Sequence, residues 1–145
     1  MKPVVTWALL ANARHAKVLE NRGPGKGLVP LEAHQWEADL PEQPRDRAGM
    51  GHSIGGPGVS AVEQADPQRK ADRHFAKVVG KAVTKAFLAQ EFDRLILVAG
   101  PHMLGLLRDE VEEALAPVIA GEIDKDLMAQ PAKSVEAHVG EIIAV

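Results

Sequence analysis

Two stretches of the 145-residue chain hold residues whose types and spacing could do chemistry. One is Arg47 to Ala61, RAGMGHSIGGPGVSA, with five glycines, His52, Ser53 and Ser60. Glycine loses more conformational freedom on ordering than any other residue. So many in one place suggest a phosphate cradle, or a catalytic or binding loop. The other stretch is basic: Arg69, Arg73, Lys77, Lys81 and Lys85 recur at every fourth residue. On a helix that spacing draws a slowly winding stripe of cations, suited to a phosphate backbone.

Several familiar chemistries can be set aside. A Walker loop needs Lys-Ser/Thr after its last glycine and a helix opening directly behind it. No such pair follows here, and Val59 to Ala65 intervenes before the next helical pattern. A dinucleotide fingerprint needs a strand immediately upstream, which Met50-Gly51-His52-Ser53 does not supply. The six histidines, His15, His34, His52, His74, His102 and His138, show no zinc spacing, so no metal is expected. No Gly-x-Ser-x-Gly elbow surrounds Ser53, Ser60 or Ser134. His52 and Ser60 remain the weak catalytic candidates, and His102 reads as structural at the start of a helix. Asp124-Lys125-Asp126 reads as a turn or cap.

Composition narrows the classes further. The chain has no cysteine, which excludes disulfides, thiol nucleophiles and Cys-ligated metals. No apolar run reaches the roughly 20 residues that span a bilayer. The opening MKPVVTWALLANARHAKVLE reads as folded structure rather than a leader, so a cytoplasmic location is expected. The formal charge is −3, yet Asp66 to Lys85 holds six basic and two acidic residues. That segment is therefore +4 and the remainder −7. The charge is polarised.

The elements that must position these groups follow from punctuation and period. Val4 to Ala11 and Arg14 to Glu20 read as a strand pair, with a third strand in Leu28 to Glu37. From Asp39 to Ala65 no period holds, a length usually reserved for functional loops. Asp66-Pro67 starts a helix to about Ala89, with Ala71, Phe75, Val78, Val79, Ala82 and Ala86 on its apolar arc. Arg94 to Ala99 is a strand buried on both faces. Met103 to Ala116 forms a second helix with Asp109, Glu110, Glu112 and Glu113 outward. Val118 to Ile123 is a further strand, and Pro131 to Val139 a third helix. The order β-β-β-α-β-α-β-α describes one α/β domain, a mixed sheet flanked by helices.

The series DPQRKADRHFAKVVGKAV, FDRLILVAGPHMLGLLRDEV and IAGEIDKDLMAQP, with WALLANARHAKVLE at the front, resembles the bacterial host attachment protein family. Its most specific parts are Pro101, Leu104, Gly105, Leu107 and Arg108, and the run Glu122 to Leu127. That family is similar to the middle domain of archaeal and eukaryotic peptide-chain release factors, which implies a ribonuclease-H-like fold. In release factors a Gly-Gly-Gln loop places water against the peptidyl-tRNA ester. Here the matching position reads Gly55-Gly56-Pro57, and proline offers neither an N–H nor a polar side chain. Asn12 stands where a nuclease of that fold would need a metal-binding aspartate.

The resemblance thus implies a binding module rather than an enzyme, without cofactor or metal. Its binding loop would comprise Gly51, His52, Gly55, Gly56, Pro57 and Gly58. Arg69, Arg73, Lys77 and Lys81 would hold the phosphates of ribosomal RNA or tRNA, without DNA sequence readout or membrane contact. Two alternatives stand beside it: a weak aminoacyl- or peptidyl-ester hydrolase using the loop, and an indirect role in host-cell attachment. No signature of oligomeric state is visible.

Overall fold

Residues 2–39 and 66–145 are described by a computed structural model of the chain. The loop positions Gly51, His52, Gly55, Gly56, Pro57, Gly58 and Ser60 lie outside the described residues. The sheet is built on β1 (Thr6–Ala11), whose every residue is buried. β1 pairs antiparallel with β2 (His15–Asn21) and parallel with β4 (Arg94–Ala99). β3 (Val29–Glu37) adds to β2, and β5 (Ile119–Ile123) adds in parallel to β4. The resulting order is β3-β2-β1-β4-β5.

Strand alternation sends each side chain to one of two cores. Trp7, Leu9 and Ala11 of β1, with Leu95, Leu97 and Ala99 of β4, face α1 (Pro67–Leu88) and α2 (Pro101–Leu115). Ala8, Leu10, Ile96 and Val98 point the other way, against α3 (Ala132–Val139) and the tail residue Ile143. Helices on both faces explain why β4 is a near-continuous apolar run. The mixed five-stranded sheet and its three helices among the described residues match the expected α/β class.

Local chemistry fixes the helix ends. Asp66 caps α1 by accepting from the Arg69 backbone N–H at 3.0 Å, and Pro67 occupies the first turn. Pro101 likewise opens α2, two residues before the expected Met103. A 3-10 turn over Ala116–Val118 delays β5 to Ile119. The apolar arc of α1 also differs from expectation. The buried residues are Asp72, Phe75, Ala76, Val79, Gly80, Val83 and Ala86, while Val78 is 42% exposed. The cause is α2, which packs along the Gly80 flank and turns the helix towards it. A Cβ on Gly80 would stand 2.7 Å from the Glu110 Cβ, so only glycine permits this approach.

β3 is an edge strand whose residues are mostly exposed. Its pairing with β2 shifts register between Lys17 and Leu19, and Pro30 sits opposite Leu19.

Candidate functional site

The carboxyl ends of the parallel strands gather the polar groups. β1 ends before Asn12, β4 before Gly100 and β5 before Asp124. α1 reaches the opposite edge at its C-terminus, where Asp93 N–H donates to the Val5 carbonyl at 2.8 Å. Its N-terminus therefore lies with the carboxyl edge. Ala38 N–H donates to the Arg14 carbonyl at 2.8 Å, which brings the end of β3 there too. Asp39 and Asp66, the described residues on either side of positions 40–65, thus share this edge. In parallel α/β sheets it is the edge that positions ligands.

Asp72 is the unexpected member. It sits at 5% exposure within the apolar face of α1, where an unpaired carboxylate would be costly. Two neighbours satisfy it. Gln68 Nε2 donates to its Oδ1 at 2.6 Å, and His102 Nε2 lies 3.1 Å from its Oδ2. The His102 side chain is 59% exposed, so the pair runs from core to solvent at the start of the α1/α2 seam. His102, expected to be structural, is thus tied to a buried carboxylate. The signal in the sequence was an aspartate between Ala71 and Phe75 on an apolar arc, since a buried charge demands a partner.

The cationic stripe is on the surface. Arg69, Arg73, Lys77, Lys81 and Lys85 are all exposed. Arg69 is paired with its own cap, Asp66, at 3.4 Å. Among the described residues Arg73, Lys77, Lys81 and Lys85 form no ion pair. Counting about 100° per residue, Arg73 lies roughly 100° from Asp72 and Gly80 roughly 80° from it. Arg73 therefore stands on the flank facing α2, beside the seam that His102 opens. Further along, the stripe winds away from α2, whose Asp109, Glu110, Glu112 and Glu113 are exposed as expected.

Other polar pairs at this edge hold structure together. Asn12 Oδ1 accepts from the Arg14 and His15 backbone N–H groups at 2.9 and 2.8 Å, closing the β1–β2 turn. Asp126 Oδ1 accepts from the Met128 N–H at 3.0 Å, the turn role expected of that segment. Arg108 grips Glu122 with two donors, Nε to Oε2 at 2.9 Å and Nη2 to Oε1 at 2.6 Å. Those hydrogen bonds hold the Glu122 carboxyl below its ordinary range and raise the Arg108 guanidinium. Among the described residues no cluster of three or more His, Asp or Glu could hold a metal ion.

A groove of about 1230 Å³ lies at the opposite edge near His34, Phe87, Leu88 and Phe92. Its floor is core: Trp7 is 1% exposed, stacks on Phe92 at 4.4 Å and donates to Glu20 Oε2 at 3.0 Å. It lies at the far end of α1 from Asp72 and His102.

Fold and site define the class: a mixed α/β domain with a cationic helix and, at the carboxyl edge of its sheet, a buried Asp72 paired with the exposed His102. The chain belongs to the family described as "Protein required for attachment to host cells", which matches residues 7–139 and so spans Arg69, Asp72, Arg73 and His102. It is also similar to an uncharacterized protein of Rickettsia prowazekii (strain Madrid E), 27% identical over 133 residues, covering 90% of this chain and 84% of the relative. No helix among the described residues is long and apolar enough to cross a membrane.

Proposed function

We propose that this family member is a binding module that contacts RNA through the exposed face of α1, with the ribosome or tRNA as partner. The observation that supports it most is the set of exposed cations Arg73, Lys77, Lys81 and Lys85, which have no carboxylate within ion-pairing distance among the described residues. Evenly spaced cations with no ion pair among the described residues, on a chain of net charge −3, suit a polyanion. The likeness to release-factor middle domains, and with it a ribonuclease-H-like fold, enters from the sequence motifs. So does the glycine-rich binding loop. A cytoplasmic location completes the proposal.

The test is sedimentation with ribosomes and binding to labelled tRNA across a salt series. Association that weakens steeply with salt, and is lost in the double variant Arg73→Glu with Lys77→Glu, is the expected result. No association even at low salt would refute it.

The family's description favours a second role, indirect participation in attachment to host cells. Fractionation of a producing culture separates an indirect role in attachment from a direct one. Protein confined to cell lysate agrees with an indirect role, and protein in medium without lysis requires a direct one.

A further inference from the structure

We infer that His102 reads the ribose 2′-hydroxyl of a bound strand, so that the α1/α2 seam prefers RNA to DNA. The inference rests on the RNA-binding proposal and deepens it by naming the sugar. It begins with hydrogen bookkeeping at one imidazole. The Asp72 carboxylate only accepts, so the ring nitrogen 3.1 Å from it, Nε2, must carry the hydrogen. In the neutral ring Nδ1 is then bare and can only accept. Among the described residues Nδ1 has no hydrogen-bond partner, and the side chain is 59% exposed.

Asp72 can impose that tautomer because it is itself fixed. Its carboxylate is buried, and its other oxygen is occupied by Gln68 at 2.6 Å. The ring is thereby presented to solvent in one orientation with one fixed acceptor. Arg73, exposed and without an ion pair among the described residues, stands on the neighbouring flank of α1 and supplies a phosphate contact. With that phosphate on Arg73, the proposal seats the adjoining sugar against His102 across the seam. Phosphate and deoxyribose within a DNA strand have no hydrogen-bond donor to offer an acceptor. The ribose 2′-hydroxyl does, and it is the group by which proteins tell the two polymers apart.

The experiment measures binding of single-stranded RNA and DNA of one sequence to the full chain, buffered on the alkaline side of neutrality. Wild type should bind RNA more tightly by about three- to tenfold, the range of one net hydrogen bond. His102→Ala should remove that preference by weakening RNA binding more than DNA binding. His102→Gln, which restores an acceptor oxygen, should recover part of it, and Asp72→Asn should lower it by freeing the tautomer. Thermal melting of each variant confirms that it is folded. Equal binding of RNA and DNA by wild type overturns the inference and leaves the RNA-binding proposal standing. So does an equal loss for both polymers in His102→Ala. Binding of neither polymer overturns both.

Discussion

Arg108 and Glu122 join α2 to β5 through a two-donor contact, Nε to Oε2 at 2.9 Å and Nη2 to Oε1 at 2.6 Å. These residues belong to the two most distinctive sequence runs of the chain, Pro101 to Arg108 and Glu122 to Leu127. The pair therefore accounts for part of that distinctiveness by structure alone. Because Arg108 hydrogen bonding holds the folded Glu122 carboxyl below its unfolded value, its contribution is present at neutral pH. It is lost as pH falls through the depressed folded-state value. Glu122→Gln should lower the urea midpoint at neutral pH, and the difference from wild type should vanish in acid. A difference that persists at low pH would show that shape rather than charge holds the contact.

Gly80 sets how closely α1 and α2 approach. Gly80→Ala gains about 1 kcal/mol of helix propensity. Against that, the new Cβ would stand 2.7 Å from the Glu110 Cβ, which is backbone-proximal and unable to swing aside. Overpacking of this kind costs about 1–3 kcal/mol, so net destabilisation is expected. Chemical denaturation measures it, and a stabilised variant would contradict the close crossing.

Asp66 has two roles that pull in opposite directions. Its side chain caps α1, and removing such a cap costs about 1 kcal/mol. It also sits 3.4 Å from Arg69 and neutralises the first cation of the stripe. Asp66→Ala should therefore melt earlier yet bind RNA more tightly. Earlier melting with weaker binding would mean that the fraying of α1 outweighs the freed charge.

Each phosphate contact should leave a countable trace. For single strands the slope of log affinity against log salt falls by about 0.7 for every phosphate neutralised. Lys77→Ala and Lys81→Ala should each reduce the slope by roughly that amount at every sequence tested. A slope unmoved by both would place the RNA contact elsewhere on the surface.

Asn21 holds the turn between β2 and β3 with its amide. Nδ2 donates to the Gly23 and Gly27 carbonyls at 3.0 and 2.8 Å, while Oδ1 accepts from the Gly23 N–H at 3.0 Å. Asn21 is fully buried, so Asn21→Ala strands those backbone groups at about 1–3 kcal/mol each. A midpoint close to wild type would show that water replaces the amide.

Much of the sheet was legible because its strands are short apolar runs bounded by turn residues. The run RLILVA could hardly be anything but a doubly covered strand, and Asp66-Pro67 announced α1 to the residue. The facing of α1 was less accessible, since it depends on where α2 presses. Period alone put Val78 inside and overlooked Gly80, whose burial is set by Glu110 on another helix. The Asp72–His102 pair was missed for the same reason. Thirty positions separate the two residues, and only the shared carboxyl edge brings them together. The cations were visible as a pattern, but that Arg73, Lys77, Lys81 and Lys85 meet no carboxylate among the described residues is a property of the folded surface.

The interrupted margin at β3 bears on how the protein behaves in a crowded solution. An unbroken outer strand invites a neighbour's backbone to zip alongside and seeds fibrils. Here Pro30 withholds one donor and the slip between Lys17 and Leu19 bends the ladder beside it. Both interruptions oppose the regular backbone pairing through which a second strand would extend the sheet.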